Sequence, residues 1–186
     1  MPDVFEVLGA AHRDVELMLD RMQDMIGAPA KLRDQGGALA DTLITAVSQH
    51  EAAEEQYFWP AVRRNAGDGG SLAAGGIEQE AEGKKVLAEL DGMAPDDPQF
   101  VPLMTKFDHA ARAHIAYEEQ QVWPGLRAAL PADKAYGLGA KLARATQAGP
   151  TRPHPHTPPS PAVLKAAGPA VAAVGRLRDA ASARDN

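Results

Sequence analysis

The chain has 186 residues with a net charge of −6, and it contains six histidines but no cysteine. This length suits one hydrophobic core with an appendage, and the lack of cysteine excludes disulfides, thiolate zinc sites, iron–sulfur clusters and thiol nucleophiles, so any metal must be held by histidine and carboxylate. Hydrophobic residues form 45% of the chain and aromatic residues only 5%, a balance that favours a helical protein over a β-sandwich.

Apolar residues at helical spacing predict two amphipathic helices in the first third of the chain. The first begins after Asp3 and ends at Gly27, and its apolar stripe includes one polar residue, His12. The second follows Gly37 and fades within residues 65–70. These boundaries are placed at glycines because glycine disfavours helix interiors and is common at helix ends.

Two further helices are predicted in the middle of the chain. The third begins around Gly76 and ends within residues 92–95, and the fourth follows Pro98 and continues toward Leu130. Four helices joined by short Gly- and Pro-containing connections predict an all-α protein with an up-down-up-down four-helix bundle. Residues 133–146 are expected to add a short helical extension.

The sequence divides into two regions near residue 149. Residues 1–148 hold 14 basic and 23 acidic residues, whereas residues 149–186 hold five and two. Six prolines within residues 150–161 cannot continue a helix and predict an extended segment. Residues 162–183 then carry an apolar edge at helical spacing, so the second region is predicted to be a Pro-rich linker followed by a C-terminal amphipathic helix.

Charge and hydropathy limit the partners of the chain. The acidic body argues against a nucleic-acid partner, because phosphate contacts need clustered Lys and Arg. No apolar run reaches the roughly 18 residues that a membrane span needs. Residues 1–6 carry acidic side chains where a secretory signal would carry basic ones. We therefore expect a cytoplasmic protein without a membrane partner.

Polar residues on the apolar stripes are the first sign of a metal site. His12 lies on the inward stripe of the first helix, where a single histidine is more often structural than a ligand. His50 and Glu54 lie four apart on the stripe of the second helix, so their side chains stack on one face and can converge on one ion. Together these residues predict an inward-facing metal site.

An internal repeat is the strongest signal in the sequence. Residues 50–60 read HEAAEEQYFWP and residues 114–124 read HIAYEEQQVWP, which match at seven of eleven positions. In the second copy, His114 and Glu118 repeat the four-residue spacing on the stripe of the fourth helix. Charged core residues are costly unless they are paired or bound to metal. Two His-x-x-x-Glu motifs facing each other across a bundle supply enough ligands to bridge two cations.

The order of these motifs resembles the hemerythrin family, specifically the bacterial hemerythrin-like proteins with the HHE cation-binding domain, over about residues 3–130. The resemblance implies non-heme iron held by three terminal imidazoles and by bridging carboxylates. The matching residues are a first histidine and two His-x-x-x-Glu motifs, each followed by Trp-Pro: His12; His50 and Glu54; His114 and Glu118.

The second bridging carboxylate has two candidates. Oxygen-transport hemerythrins place it five residues after its histidine, which would select Glu119, whereas many bacterial relatives place it four residues after, which selects Glu118. The internal repeat and the apolar stripe favour Glu118.

The third predicted helix departs from the family, which usually supplies one or two histidines there. Residues 77–90 contain none, but the stripe places Glu80 and Lys84 on the inner face. We predict that Glu80 replaces the missing imidazole with a carboxylate, which favours ferric iron and also suits manganese. In the alternative, Lys84 forms a salt bridge with Glu80 and leaves one metal position weak or empty.

Several neighbours of these motifs receive lesser roles. Glu51 is expected in solvent, and Glu119 is either a hydrogen-bond acceptor for a ligand histidine or a surface charge. Tyr57 fills the core or hydrogen-bonds near the metal. Trp59 and Trp123 are expected to pack at the ends of the bundle.

These observations predict a non-heme diiron protein that reacts with or senses O₂ or peroxide. Two iron ions are the expected cofactor, with manganese the second choice, and the sequence leaves enzymatic activity open, peroxide decomposition being the activity it allows. The missing histidines make reversible O₂ transport the less favoured role. The alternative is a metal-sensing regulatory or interaction module with a mononuclear or partly degenerate site and no turnover, in which the C-terminal region binds a protein partner.

Overall fold

The computed structural model describes residues 1–153, whose regular structure is entirely helical and contains no strand. None of the helices in this part of the chain is long and apolar enough to cross a membrane. Two five-residue π-helical turns, Glu54–Phe58 and Glu118–Val122, interrupt the helical runs. The α-helices are α1 Val4–Ile26, α2 Pro29–Ala53, α3 Trp59–Asn65, α4 Gly69–Leu90, α5 Phe100–Tyr117, α6 Trp123–Ala129 and α7 Ala132–Ala148.

The helices form two antiparallel hairpins that close into a four-helix bundle, which confirms the predicted all-α fold. The first hairpin is α1 with α2 and its continuation α3, and the second is α4 with α5 and its continuation α6. Helix α7 packs across α1 and α2 on the outside. Helix α1 starts where it was predicted, because Asp3 accepts from the Glu6 backbone N–H and Glu6 accepts from the Asp3 backbone N–H, an arrangement that satisfies donors free at a helix N-terminus.

Two predicted helix starts were wrong because glycines lie inside helices. Helix α2 begins at Pro29, a residue suited to the first helical position, and not after Gly37. Helix α4 begins at Gly69 and not around Gly76. Side-chain packing accounts for both glycines, within one helix at Gly36 and between helices at Gly76. A Cβ on Gly36 would lie 2.7 Å from Leu32 Cδ1, and one on Gly76 would lie 2.2 Å from the ring of Trp59.

The π-helical turns were not predicted from the sequence, although each is followed by a Trp-Pro pair of the internal repeat. The Trp59 N–H donates to the Glu54 carbonyl, five residues back, and Trp123 repeats this bond with Glu118. A proline follows each tryptophan, at residues 60 and 124. Proline lacks an N–H and its ring clashes with the carbonyl four residues earlier. The wider turn relieves that clash and lets the helix continue.

The core consists of two apolar clusters separated along every bundle helix by polar residues. One cluster contains Leu19, Leu43, Leu87 and Phe107, and the other contains Leu8 and the residues around it at the opposite end of the bundle. On α1, apolar residues 4–8 belong to one cluster and residues 15–25 to the other. The bundle therefore carries a polar layer at mid-length.

After α7 the chain runs back along the bundle. The Thr151 carbonyl accepts from the Thr45 hydroxyl at 3.2 Å, and Arg152 forms ion pairs with Asp41 at 2.9 Å and Asp91 at 2.6 Å. These contacts hold the start of the predicted linker against α2. The predicted C-terminal helix at residues 162–183 lies outside the described residues, and the division at residue 149 stays a prediction.

Candidate metal centre

The polar layer brings all six sequence-predicted ligands together. Their ligand atoms form two groups, and within each group the atoms lie within 4.8 Å of one another. One group combines two imidazoles with a carboxylate, and the other combines one imidazole with three carboxylates. The first is His12, His50 and Glu54, and the second is Glu54, Glu80, His114 and Glu118. Glu54 belongs to both groups, so its two oxygens lie where a bridging carboxylate would lie.

The structure distinguishes the two candidate carboxylates of the second motif. Glu118 is fully buried and belongs to the second group, whereas Glu119 lies outside both groups. The Glu119 Oε1 atom lies 2.9 Å from the His12 Nδ1 atom. A carboxylate there accepts the Nδ1 proton, which leaves the His12 Nε2 atom free to face the cluster.

The buried polar atoms of the cluster fit a cation. Among the described residues, both side-chain oxygens of Glu54 and of Glu118 are buried without a hydrogen-bond partner, as is the Nε2 atom of His114. Imidazole nitrogens lie close to these oxygens: His50 Nε2 is 3.2 Å from a Glu54 oxygen, and His114 Nε2 is 3.3 Å from a Glu118 oxygen. Unpaired buried carboxylates are costly. Bound cations would satisfy these oxygens and nitrogens together, so the residues present fit a non-heme metal site.

His114 is also oriented by a hydrogen bond to a side chain outside the cluster. The His114 Nδ1 atom lies 3.1 Å from the Gln79 side-chain oxygen. Since an amide oxygen only accepts, Nδ1 carries the proton and Nε2 faces the cluster. His12 and His114 are thus presented in the same way, each with its outer nitrogen fixed by a side chain on a facing helix.

The two tryptophans of the repeat contact the candidate ligands, so the prediction that they only pack at the bundle ends was incomplete. Trp59 is buried and donates its Nε1–H to Glu80 Oε1 on α4. Trp123 stacks on His12 of α1, with ring centroids 5.4 Å apart and planes at 17°. A glycine one turn earlier on each facing helix, Gly76 or Gly9, makes room for the indole ring. The tryptophan of each hairpin therefore positions a ligand of the other hairpin.

We expect Gly76→Ala to destabilise the protein, by about 2 kcal/mol or more, because overpacking a filled core forces side chains from their preferred positions. The added Cβ would lie 2.2 Å from the Trp59 ring, which is itself fully buried. Thermal unfolding of the metal-free protein measures the effect. Gly70→Ala, on the same helix with nothing within 4 Å of its Cβ, is the control and should be neutral or slightly stabilising. Equal melting temperatures for the two variants would contradict this packing.

Burial controls the titration of two cluster carboxyls. It raises the pKa of Glu54 well above the usual value, and the charge of Glu118 adds to the rise. Burial likewise raises the pKa of Glu80 well above the usual value, although the Lys84 ammonium opposes the shift. Without a cation, burial therefore disfavours ionisation of these two carboxyls.

Glu118 and the histidines titrate differently. Burial opposes ionisation of Glu118, but close contacts with His114 and His12 outweigh burial and hold its pKa below the usual range. Burial lowers the pKa of His12 and of His114, but contact with the Glu118 carboxylate outweighs it and raises both. Burial lowers the pKa of His50 to about 3, and the neighbouring His12 charge adds to that shift. Glu118 is thus the ionised centre of the metal-free cluster.

Glu51 was expected in solvent, but the structure buries it between α2 and α4, next to Gly83. Burial raises its pKa to about 7, with Lys84 opposing the rise. Sequence periodicity missed this position because Glu51 lies off the inward stripe of its own helix. Tyr57 is half-buried and packs against the apolar cluster that contains Leu8.

A small cavity of about 40 Å³ adjoins the cluster. Its exposed surface is mostly apolar and includes Val15, Val47 and Phe107. Four candidate ligands also line it: His12, His50, Glu80 and His114. The volume accommodates about three water-sized molecules. Molecules as small as O₂ or hydrogen peroxide fit this space.

Two comparisons with known proteins match the hemerythrin HHE cation-binding domain. Residues 3–126 match the family model of the hemerythrin HHE cation-binding domain. The fold is similar to the crystal structure of a hemerythrin HHE cation-binding domain-containing protein from Mycobacterium kansasii, with a TM-score of 0.66 and 20% sequence identity over 79% of this chain and 86% of that one. No curated protein gave a significant match.

Proposed function

Because the family model spans more than half of its length, this chain belongs to the hemerythrin HHE cation-binding family, and we propose that it is a non-heme iron protein that binds two ions and reacts with or senses O₂ or peroxide. Binding of metal cations is what the family domain implies. The observation that carries the proposal further is the pair of ligand groups that share Glu54 beside a small cavity.

Each side chain has a role in this proposal. His12 and His50 would hold one ion, and His114 and Glu80 would hold the other. Glu54, which belongs to both groups, would be shared by the two ions. Glu118 would complete the ligand set, because one of its oxygens lies 3.3 Å from His114 Nε2 and the other 3.4 Å from His12 Nε2. Because imidazoles are neutral, a site that includes three of them neutralises less of the charge of the metal ion than a site of carboxylates alone. This mixed ligand set suits an ion that cycles between ferrous and ferric states.

Iron, when bound, would supply one-electron and oxygen chemistry. The protein supplies the surroundings: the cavity surface is mostly apolar, and apolar clusters lie on either side of the polar layer.

The proposal predicts about two iron ions per chain in protein expressed with iron, and loss of the iron-dependent absorption when chelator is added. Elemental analysis and ultraviolet-visible spectra measure both quantities. Hydrogen peroxide is then added to the loaded protein while O₂ release is followed with an electrode. Rapid O₂ release supports peroxide decomposition, and a spectral change without O₂ release supports sensing.

The matched control for this assay is a His50→Ala variant, which removes a ligand contributed from the repeat. It should bind less iron and show neither response at equal protein concentration. A wild-type chain that holds less than about half an iron ion per chain, with no metal-dependent absorption, would contradict the proposed function.

One observation favours the second candidate, a regulatory module with a single ion and no turnover. The Lys84 ammonium lies 3.6 Å from Glu80 Oε2, so the salt bridge and the ligand role of Glu80 compete for one carboxylate. Elemental analysis near one ion per chain, with no reaction toward peroxide, would favour this candidate over the first.

A further inference from the structure

A lysine reaches the edge of the candidate metal cluster and contacts three carboxylates. Lys84 Nζ lies 3.8 Å from Glu51 Oε2 and 3.6 Å from Glu80 Oε2, and it donates to Glu55 Oε1. Only 12% of the lysine side chain is exposed. The ammonium is therefore held among three buried carboxyl groups and is not a surface group.

One oxygen of Glu80 has no hydrogen-bond partner. Its Oε1 atom accepts the indole N–H of Trp59, and its Oε2 atom is buried without a hydrogen-bond partner. Lys84 faces that same Oε2 atom. A metal ion bound at Oε2 would therefore share this oxygen with the ammonium of Lys84.

The two ligand groups differ in their relation to this lysine. The group with His12 and His50 contains none of the carboxylates that Lys84 contacts, whereas the group with His114 contains Glu80. A positive charge in contact with a carboxylate of only one group repels an ion there more than an ion at the other, because Coulomb energy falls with distance.

We propose that the ammonium of Lys84 acts as a tethered cation that competes with the second metal ion for Glu80, and so makes the two metal positions unequal in affinity. This inference rests on the proposed two-ion site. The position near His12 and His50 fills first, and the position near Glu80 and His114 fills second, at a higher metal concentration.

Metal titration tests the proposal with Mn²⁺ alone, followed by calorimetry and by electron paramagnetic resonance of free Mn²⁺. Wild-type protein should show two steps whose dissociation constants differ by about tenfold or more. Lys84→Gln should tighten the second step by about tenfold or more and leave the first within about threefold. Lys85→Gln is the matched control, because Lys85 is an exposed neighbour that pairs only with Glu82 among the described residues.

A second variant protects the test against loss of folding. Lys84→Gln alone leaves three carboxylates without their cation, whereas the double variant Lys84→Gln with Glu55→Gln removes one cation and one anion. The double variant should also tighten the second step. If both variants bind the second ion with wild-type affinity, Lys84 does not compete for Glu80 and the inference is overturned. If wild-type protein binds no Mn²⁺ and no Fe²⁺, the proposed metal site itself fails instead.

Discussion

We expect the Glu54→Gln variant to lose both metal ions while it stays folded. Both Glu54 oxygens are buried without partners, and the residue belongs to both ligand groups. Glutamine keeps the shape but replaces an anionic bridge with a neutral amide. Even substitutions outside the ligand set commonly cost about 10–100-fold in metal affinity, so loss of the shared ligand should cost at least about 100-fold for each ion. Calorimetry with Mn²⁺ and elemental analysis for iron measure the loss.

The stability of this variant separates loss of a ligand from loss of the fold. Burial and the Glu118 charge raise the pKa of Glu54 well above its usual value, so ionised Glu54 is a cost to the metal-free protein. Metal-free Glu54→Gln should therefore melt no lower than wild type. Glu55→Gln, at the next position and outside both ligand groups, is the control and should keep at least the first ion at wild-type affinity. Wild-type metal binding by Glu54→Gln would exclude Glu54 as a ligand.

Helical periodicity was sufficient to predict which side chains meet in the polar layer. A stripe that repeats every 3.6 residues points one face of each helix inward whatever the neighbouring helices are. Polar residues on those stripes, such as His12 and Glu80, must then meet wherever the helices pack together. The repeat strengthened this argument, because the second copy places His114 and Glu118 as the first copy places its own pair.

Features that depend on contact between helices could not be predicted from one helix at a time. Gly76 is a poor helix former in isolation, but it lies within α4 because the Trp59 ring occupies the space of its missing side chain. Glu51 lies off its own stripe, but it is buried against α4, where Lys84 Nζ lies 3.8 Å from its Oε2 atom. The π-helical turns occur where a proline would clash with the backbone of a regular helix. Whether the helix ends, kinks or widens at such a proline depends on the surrounding bundle.

The second large effect is expected from metal removal at different pH values. We expect the melting temperature of the metal-free protein to fall as pH rises from 6.5 to 8.5. Burial raises the pKa values of Glu54 and Glu80 well above the usual range, so these carboxyls bind protons more tightly in the folded chain than in the unfolded chain. Glu51, with a pKa of about 7, acts in the same direction in the lower half of the window.

The sign follows from proton linkage: a group whose pKa is raised in the folded state stabilises it below the unfolded pKa and loses that contribution as pH rises through the folded value. His12 and His114, whose pKa values are also raised, add to the trend. Burial lowers the pKa of His50 to about 3, so this imidazole is neutral in the folded state but partly protonated in the unfolded state near pH 6.5, and it opposes the trend only below about pH 7.5. Each such group costs at most about 1.4 kcal/mol per pH unit, so a fall of roughly 5 °C or more is expected.

Metal reverses this dependence, because ligands must be deprotonated to bind and affinity therefore rises with pH. The gap between metal-loaded and metal-free melting temperatures should widen steadily from pH 6.5 to 8.5, since a ligand stabilises the folded state in proportion to the logarithm of its affinity. Scanning calorimetry with and without excess Mn²⁺ measures the gap. In Glu54→Gln, which lacks the shared carboxylate, the gap should be small at every pH. A wild-type gap that stays constant across the window would mean that the buried carboxyls release no protons to the metal, and hence that they are not its ligands.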